Sequence, residues 1–429
     1  MTPRPGVAVI GAGWAGLAAA VEATRAGAEV TLFEMAPAPG GRARDVVSHG
    51  GDLDNGQHIC IGAYAETLRL MAAVGVAEGD AFLRTPLRLV DARGEGLRLP
   101  PGRAVPAFAR GVLGRRGWSW RERIALLWVA GAWARGGFAC SPQATVADLA
   151  TSLPPAVRRG LIEPLCVAAL NTPADAASGV VFLRVLRDAL AAGRGASDLL
   201  LPRRGLSALL PAPALARLEA SGARIRLGHR VERLEASATT DSRWQLDGEH
   251  FDAVVIAASP VEAARLVAPH DAAWAARAAA LRYEPIVTVY ARRAGARLPE
   301  PMLLLPADDA RPAQFVFDRG RLGGPSGLFA FVVSGAAAWV ERGLAATEAA
   351  TLAQAHGELA AHLDGPLEPV RTIVEKRATF RCTPGLDRPP TAVAPGLAAA
   401  GDYVEGPYPA TIEGSVRSGV GAARSLLSP

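Results

Sequence analysis

The chain has 429 residues, half of them hydrophobic and 20% charged, with a formal net charge of +5. That length and apolar content bury a sizeable core, in two domains or in one large domain with an elaboration, and exclude a disordered chain. Lys376 is the only lysine, so nearly all the positive charge is arginine in a chain rich in Ala, Gly and Pro. With no aromatic-basic motif beside it, the basic balance reads as composition bias, and no nucleic-acid partner is expected.

Residues 7–10 form a short continuous apolar run, as a buried parallel strand requires. Gly11, Gly13 and Gly16 follow in GxGxxG spacing, with Trp14 and Ala15 inside the motif, and 17–25 is alanine-rich and helical. Gly27 ends that helix, 29–33 makes a second strand, and Glu34 stands at its end. The glycines serve a tight turn, backbone approach to a pyrophosphate at a helix N-terminus, and close helix–strand packing. Glu34 can accept from a ribose hydroxyl. The prediction is an α/β chain that opens on a Rossmann-like dinucleotide-binding domain. "MAPAPGGRARD" then supplies Gly40, Gly41 and Arg42, a further close backbone approach with a cation beside the phosphates. NAD domains do not need this addition. "DNGQHIC" (54–60) comes next, four polar side chains around Gly56 before the chain turns apolar.

This combination resembles the flavin-containing amine oxidase and phytoene desaturase superfamily, and the resemblance makes FAD the expected cofactor. It also places the segment after GG-R beside the isoalloxazine ring, with Gly56, Gln57 and His58 near flavin or substrate. A satisfied structural histidine is the competing reading of His58. Further along, 199–235 reads as a turn, a helix to about Ala220, and strands at 223–227 and 229–234; 251–260 is another apolar strand. By resemblance this is the return to the nucleotide domain, where Val231 offers its backbone to the adenine. Near the end, 397–400 is a small-residue strand closed by Gly401 and Asp402, and 411–427 is helical. Asp402 can accept from a ribityl hydroxyl. The amides of Thr411, Ile412 and Glu413 open a helix whose positive end suits the N1/C2-oxygen side of a flavin. The expected division is a discontinuous FAD-binding domain (1–85, 196–281, 376–429) and a discontinuous α+β substrate domain (86–195, 282–375).

The stretch 110–138 clusters arginines at its start and places Trp118, Trp120, Trp128 and Trp133 around an apolar run. Two readings fit: a membrane-surface element, or a buried helix whose tryptophans line the substrate cavity. The run is too short to span a bilayer, and the N-terminus shows no charged segment followed by a cleavage site. The expected location is the cytoplasm, with a peripheral place at the inner face of the membrane. Cys60, Cys140, Cys166 and Cys382 have no metal-ligand spacing and read as buried thiols.

"LDNGQHICIGAYAETLRLM", "PLCVAALNTPADAASGVVFLRVLRDAL", "LLPRRGLSALLP" and "GDYVEGPYPATIEGSVRSG" together resemble the hydroxysqualene dehydroxylases of bacterial hopanoid synthesis over essentially the whole chain. The resemblance implies reductive removal of the allylic hydroxyl of hydroxysqualene, a hydrophobic isoprenoid, by FAD. Such chemistry needs one proton donor in a dry site. His58 is the first candidate, with Glu405, Tyr403 and Tyr408 as rivals, each tyrosine also readable as core packing. Asn171 in "LNTP" reads as a helix cap. A carotenoid- or phytoene-type desaturase is the first competing enzyme and a flavin amine oxidase the second, but for the latter "YEPIVTVY" lacks the lysine that such enzymes place there, and Thr411-Ile412-Glu413-Gly414 lacks their tyrosine. A prenyl-binding escort protein would not need the flavin motifs intact. No second GxGxxG offers a nicotinamide site, and the sequence does not say whether the flavin's electron donor is free nicotinamide or a protein.

Overall fold

The computed structural model describes residues 4–46, 53–237 and 243–427. Three distant segments build one six-stranded sheet. At its centre lie Gly6–Ile10, Glu29–Glu34 and Ala253–Ile256, parallel and in register from Val7 beside Val30 to Ile10 beside Phe33. Arg224–Leu227 extends one edge, and Leu397–Ala399 with Ala392–Ala394 the other. The central strands are buried on both faces, which is why they read as continuous apolar runs rather than alternating ones.

Helix Trp14–Arg25 covers one face, and helix Ile412–Leu427 lies against it. A Cβ at Gly419 would fall 2.0 Å from the Ala15 carbonyl oxygen, so the small residues of the last helix exist to let two backbones touch. The predicted strand at 229–234 is not formed: pairing resumes only at Leu234–Ala236, in a separate three-stranded antiparallel sheet.

A second, five-stranded sheet carries Tyr283–Arg292, Met302–Leu304, Phe315–Asp318, Leu328–Val333 and Glu368–Phe380 in antiparallel pairing. The expected boundary at 375/376 falls inside strand Glu368–Phe380. Residues 104–191 are largely helical, including Ala104–Leu113, Trp120–Arg135, Glu163–Leu170 and Gly179–Ala191. Asn171 is the left-handed cap of the third of these, with φ 49°. Its amide donates to the Glu284 carbonyl and Thr379 Oγ1 (3.2 and 2.9 Å) and its oxygen accepts from Gly335 N (2.7 Å). The side chain thus ties the helical region to the second sheet. Among the described residues no helix is long and apolar enough to cross a membrane.

Candidate active site at the seam between the two sheets

The two glycine motifs touch. Gly40 N donates to the Ala12 carbonyl at 2.8 Å, and a Cβ at Gly41 would lie 3.2 Å from Gly13 Cα. A Cβ at Gly16 would meet the Gly11 carbonyl oxygen at 1.8 Å, so no other residue fits. Gly11 has φ 106° and a Cβ position 2.6 Å from the Ala257 carbonyl oxygen, a turn only glycine makes without strain. The first intrahelical bond runs from Leu17 N to Gly13 O, so the amides of Trp14, Ala15 and Gly16 precede it and open the helix toward an anion. The Trp14 side chain does something else: its Nε1 donates to the Ala43 carbonyl at 2.9 Å and holds the GG-R turn. Glu34 accepts from Ala12 N at 2.6 Å and Ala36 N at 2.8 Å, which fixes its carboxylate at the mouth of the loop with lone pairs to spare. The Val231 carbonyl is taken by Arg265 Nη2 at 2.6 Å, so its amide is the group left for an adenine.

Arg42 does not point along the glycine loop alone. Its Nη2 donates to both Asp402 oxygens at 2.7 Å, and Nη1 donates to the Ala378 carbonyl at 2.8 Å. One arginine joins GG-R to GD across the seam and to the end of strand Glu368–Phe380. Thr411 caps the last helix, Ser415 N donating to its carbonyl, so the amides of Ile412 and Glu413 precede the intrahelical ladder. The Glu413 side chain faces the other way. It is 1% exposed and accepts from Glu66 N, Thr67 N and Thr67 Oγ1 (3.1, 2.9 and 2.7 Å), capping helix Ala65–Ala73.

"DNGQH" is polar for several distinct reasons. Asp54 is buried and accepts from Leu206 N at 2.8 Å; Asn55 donates to the Arg42 carbonyl at 3.0 Å. Gln57 Oε1 accepts from Arg319 Nη1 at 2.9 Å. A Cβ at Gly56 would make only ordinary contacts, 3.7 Å to Thr288 Oγ1 and 3.9 Å to His58 Cε1. Nothing in the protein therefore demands glycine there, and the missing side chain leaves room for a ligand. His58 Nδ1 lies 2.7 Å from the Gly56 carbonyl, which makes it the protonated nitrogen. Among the described residues Nε2 has no hydrogen-bond partner. Burial lowers the His58 pKa, opposed by the Gly56 bond and reinforced by the nearby Arg42 charge. This environment favours the neutral ring, with a lone pair on Nε2.

The rivals separate by environment. Glu405 is exposed, not the buried carboxyl that donation would need. The Tyr408 hydroxyl donates to Asp188 Oδ2 at 2.8 Å and accepts from Arg184 at 3.2 Å, so it is already committed. Tyr403 is 2% exposed, packs edge-on against Trp274, and its buried hydroxyl has no hydrogen-bond partner among the described residues. Tyr283, which the sequence reading did not single out, has the same orphaned hydroxyl. Burial raises the pKa of both phenols, Asp402 adds to this, and Arg42 opposes it. Among the described residues neither of these buried donors, which share the Arg42–Asp402 pair, has an acceptor, and a bound group could supply one. Ribityl hydroxyls and phosphates are such acceptors, so together with the glycine cradle the residues present fit FAD. Burial pushes the Cys60, Cys166 and Cys382 thiols up to about 12, which makes them poor nucleophiles.

Comparison with known proteins identifies the family. The family model for flavin containing amine oxidoreductases matches residues 14–427. A hydroxysqualene dehydroxylase of Sinorhizobium fredii is 31% identical over 98% of both chains, and one of Rhodopseudomonas palustris is 31% identical over 98% of both. The chain belongs to the flavin-containing amine oxidoreductases, in the hydroxysqualene dehydroxylase family. It is an FAD-dependent oxidoreductase. The family fold extends to solved structures of low identity: an oxidoreductase from Methanosarcina mazei (17% identical, TM-score 0.73, covering 98% of this chain and 100% of that one) and cyclohexylamine oxidase from Brevibacterium oxydans (18%, TM-score 0.66, 99% of both).

Proposed function

We propose that this protein removes the allylic hydroxyl of hydroxysqualene reductively, giving squalene and water, in hopanoid synthesis. The observation that carries the reading is the match over 98% of the chain to relatives named for that reaction, where carotenoid desaturases match only short segments, such as 17% of the chain for the maize zeta-carotene desaturase. The site supports it. Strand Tyr283–Arg292 carries no lysine, and the residue facing Gly56 from it is Thr288. When bound, reduced FAD supplies the hydride. The chain's own residues hold the alcohol and the proton. Neutral His58 accepts from the substrate hydroxyl through Nε2 and sets the direction of the breaking C–O bond. A proton delivered to the leaving oxygen turns it into water. The allylic double bond spreads the positive charge at the carbon that receives the hydride. The test is product analysis by mass spectrometry with a reductant present and hydroxysqualene, phytoene or an amine supplied in parallel. Squalene from the first alone supports the reading; turnover of an amine or phytoene instead would replace it.

A membrane surface is the source of so apolar a substrate. Trp120, Ile124 and Trp128 are 65%, 58% and 65% exposed and lie at i, i+4, i+8 on one face of helix Trp120–Arg135. With Ala125 and Val129 they line a groove of about 530 Å³. Arg110, Arg116 and Arg121 are exposed beside them, matching anionic headgroups. Trp118 differs from expectation, being 7% exposed with the Arg115 guanidinium stacked 4.0 Å over its ring. Replacing Trp120, Ile124 and Trp128 by serine should abolish most sedimentation with anionic vesicles and leave the melting temperature unchanged, whereas Trp118→Ser should lower that temperature. Unchanged vesicle binding in the triple variant would remove the membrane from the account.

A further inference from the structure

The "DNGQH" segment is gripped from the second sheet by a single arginine. Arg319 follows strand Phe315–Asp318 and opens a short 3-10 turn. Asp318 shapes that turn by accepting from Leu298 N at 2.9 Å and Arg321 N at 3.2 Å. Gly324 N donates back to the Arg319 carbonyl at 2.8 Å, and Gly323, at φ 88°, lets the chain leave. Arg319 is 9% exposed. One arm, Nη1, donates to Gln57 Oε1 at 2.9 Å, and Gln57 Nε2 in turn donates to the His58 carbonyl at 3.3 Å. The other arm, Nη2, stands 3.4 Å from Asp54 Oδ2.

The two arms have different physical consequences. Asp54 lies at a polar cavity of about 230 Å³ that Asp45, Arg203, Arg204 and Tyr290 also line. Burial drives its carboxyl up to about 7, with the Arg319 charge the first opposing influence. Removing Arg319 there leaves a buried, unpaired acid, which is a loss of stability. At Gln57 the guanidinium acts as a charge-assisted donor to a neutral amide. Arg319 selects which way the amide points, because Oε1 must face the guanidinium and Nε2 must then face His58. A lysine could supply the charge but not the two-armed geometry.

We propose that Arg319 is a positioning residue of this reaction, holding Gln57 and through it the seat of the His58 imidazole. The proposal rests on the reading of His58 given above, and its test separates the two. His58 is first assigned in the histidine Cε1–H NMR spectrum of the FAD-loaded protein by loss of its resonance in His58→Ala. In Arg319→Gln and in Gln57→Ala that resonance and its titration midpoint should move in the same direction; in Asp54→Asn they should stay. Turnover should follow: kcat falls by about 10- to 100-fold in either variant with KM little changed, the mark of a misaligned group rather than lost binding. Combined, Arg319→Gln and Gln57→Ala should be no worse than the stronger single change. Arg319→Gln with Asp54→Asn should regain the lost melting temperature without regaining kcat. An unmoved His58 resonance in Arg319→Gln, multiplying rate losses for Arg319 and Gln57, or full recovery of kcat with Asp54→Asn would each overturn the proposal. Normal turnover in His58→Ala would instead overturn the reading of His58, and the resonance would still report whether Arg319 positions it.

Discussion

His58→Ala is expected to keep FAD bound, keep its melting temperature close to the parent, and form squalene about 10²- to 10⁴-fold more slowly, the range for a residue managing a proton in the transition state. The fold explains why stability should survive. The ring makes one protein hydrogen bond, to the Gly56 carbonyl, while the segment around it is anchored by Asp54, Asn55 and Gln57. The pH dependence follows from the neutral ring. Burial and Arg42 lower the His58 pKa from 6.5, so Nε2 keeps its lone pair throughout the neutral range. Turnover should be flat there and decline as pH falls through that lowered value, when the cation forms. A decline on raising the pH through the same value would give the acid role to His58 itself. Tyr403→Phe removes only an oxygen that has no hydrogen-bond partner among the described residues, so it should leave stability at least equal to the parent.

The second large effect lies in the nucleotide cradle. Gly16→Val places side-chain carbon where the Gly11 carbonyl already stands, 1.8 Å from the new Cβ. Either the loop or the helix must move, and the amides that open the helix move with it. Purified Gly16→Val protein should be colourless and should raise the FAD dissociation constant by about 100-fold or more, about 2.7 kcal/mol. Glu34→Ala should be milder, roughly 1–3 kcal/mol for losing a charged hydrogen-bond partner. Absorbance near the flavin bands after dialysis against FAD measures both. A Gly16→Val protein as yellow as the parent would contradict the placement of the cofactor.

What the sequence made legible was local. GxGxxG, its strand and its helix lie within 30 residues, and each glycine has a steric reason that spacing alone conveys. The last helix could be recognised because it reads as small residues, although its reason, the Ala15 carbonyl against Gly419, lies at the other end of the chain. Partners far apart were not legible. Arg42 meets Asp402 across 360 positions, and Arg319 meets Gln57 across 262. In a chain whose cations are almost all arginine, neither stood out by type. The tryptophans of 110–138 show the same limit. Composition gave four, and only the helical phase of Trp120–Arg135 decides that Trp120 and Trp128 face outward while Trp118, just ahead of the capping Ser119, turns in. Tyr283 went unnoticed because a tyrosine at the start of a strand is ordinary. Its signal is a buried hydroxyl with no partner among the described residues, a property of the fold rather than of the local sequence.

The most direct measurement is an anaerobic single turnover. Protein loaded with FAD is reduced chemically, the excess reductant is removed, and hydroxysqualene is added while the flavin spectrum is followed and the products are extracted. The account predicts that oxidised flavin returns without oxygen and that squalene appears in equal amount. Flavin that stays reduced in the presence of hydroxysqualene, or that reoxidises with no squalene formed, would contradict it.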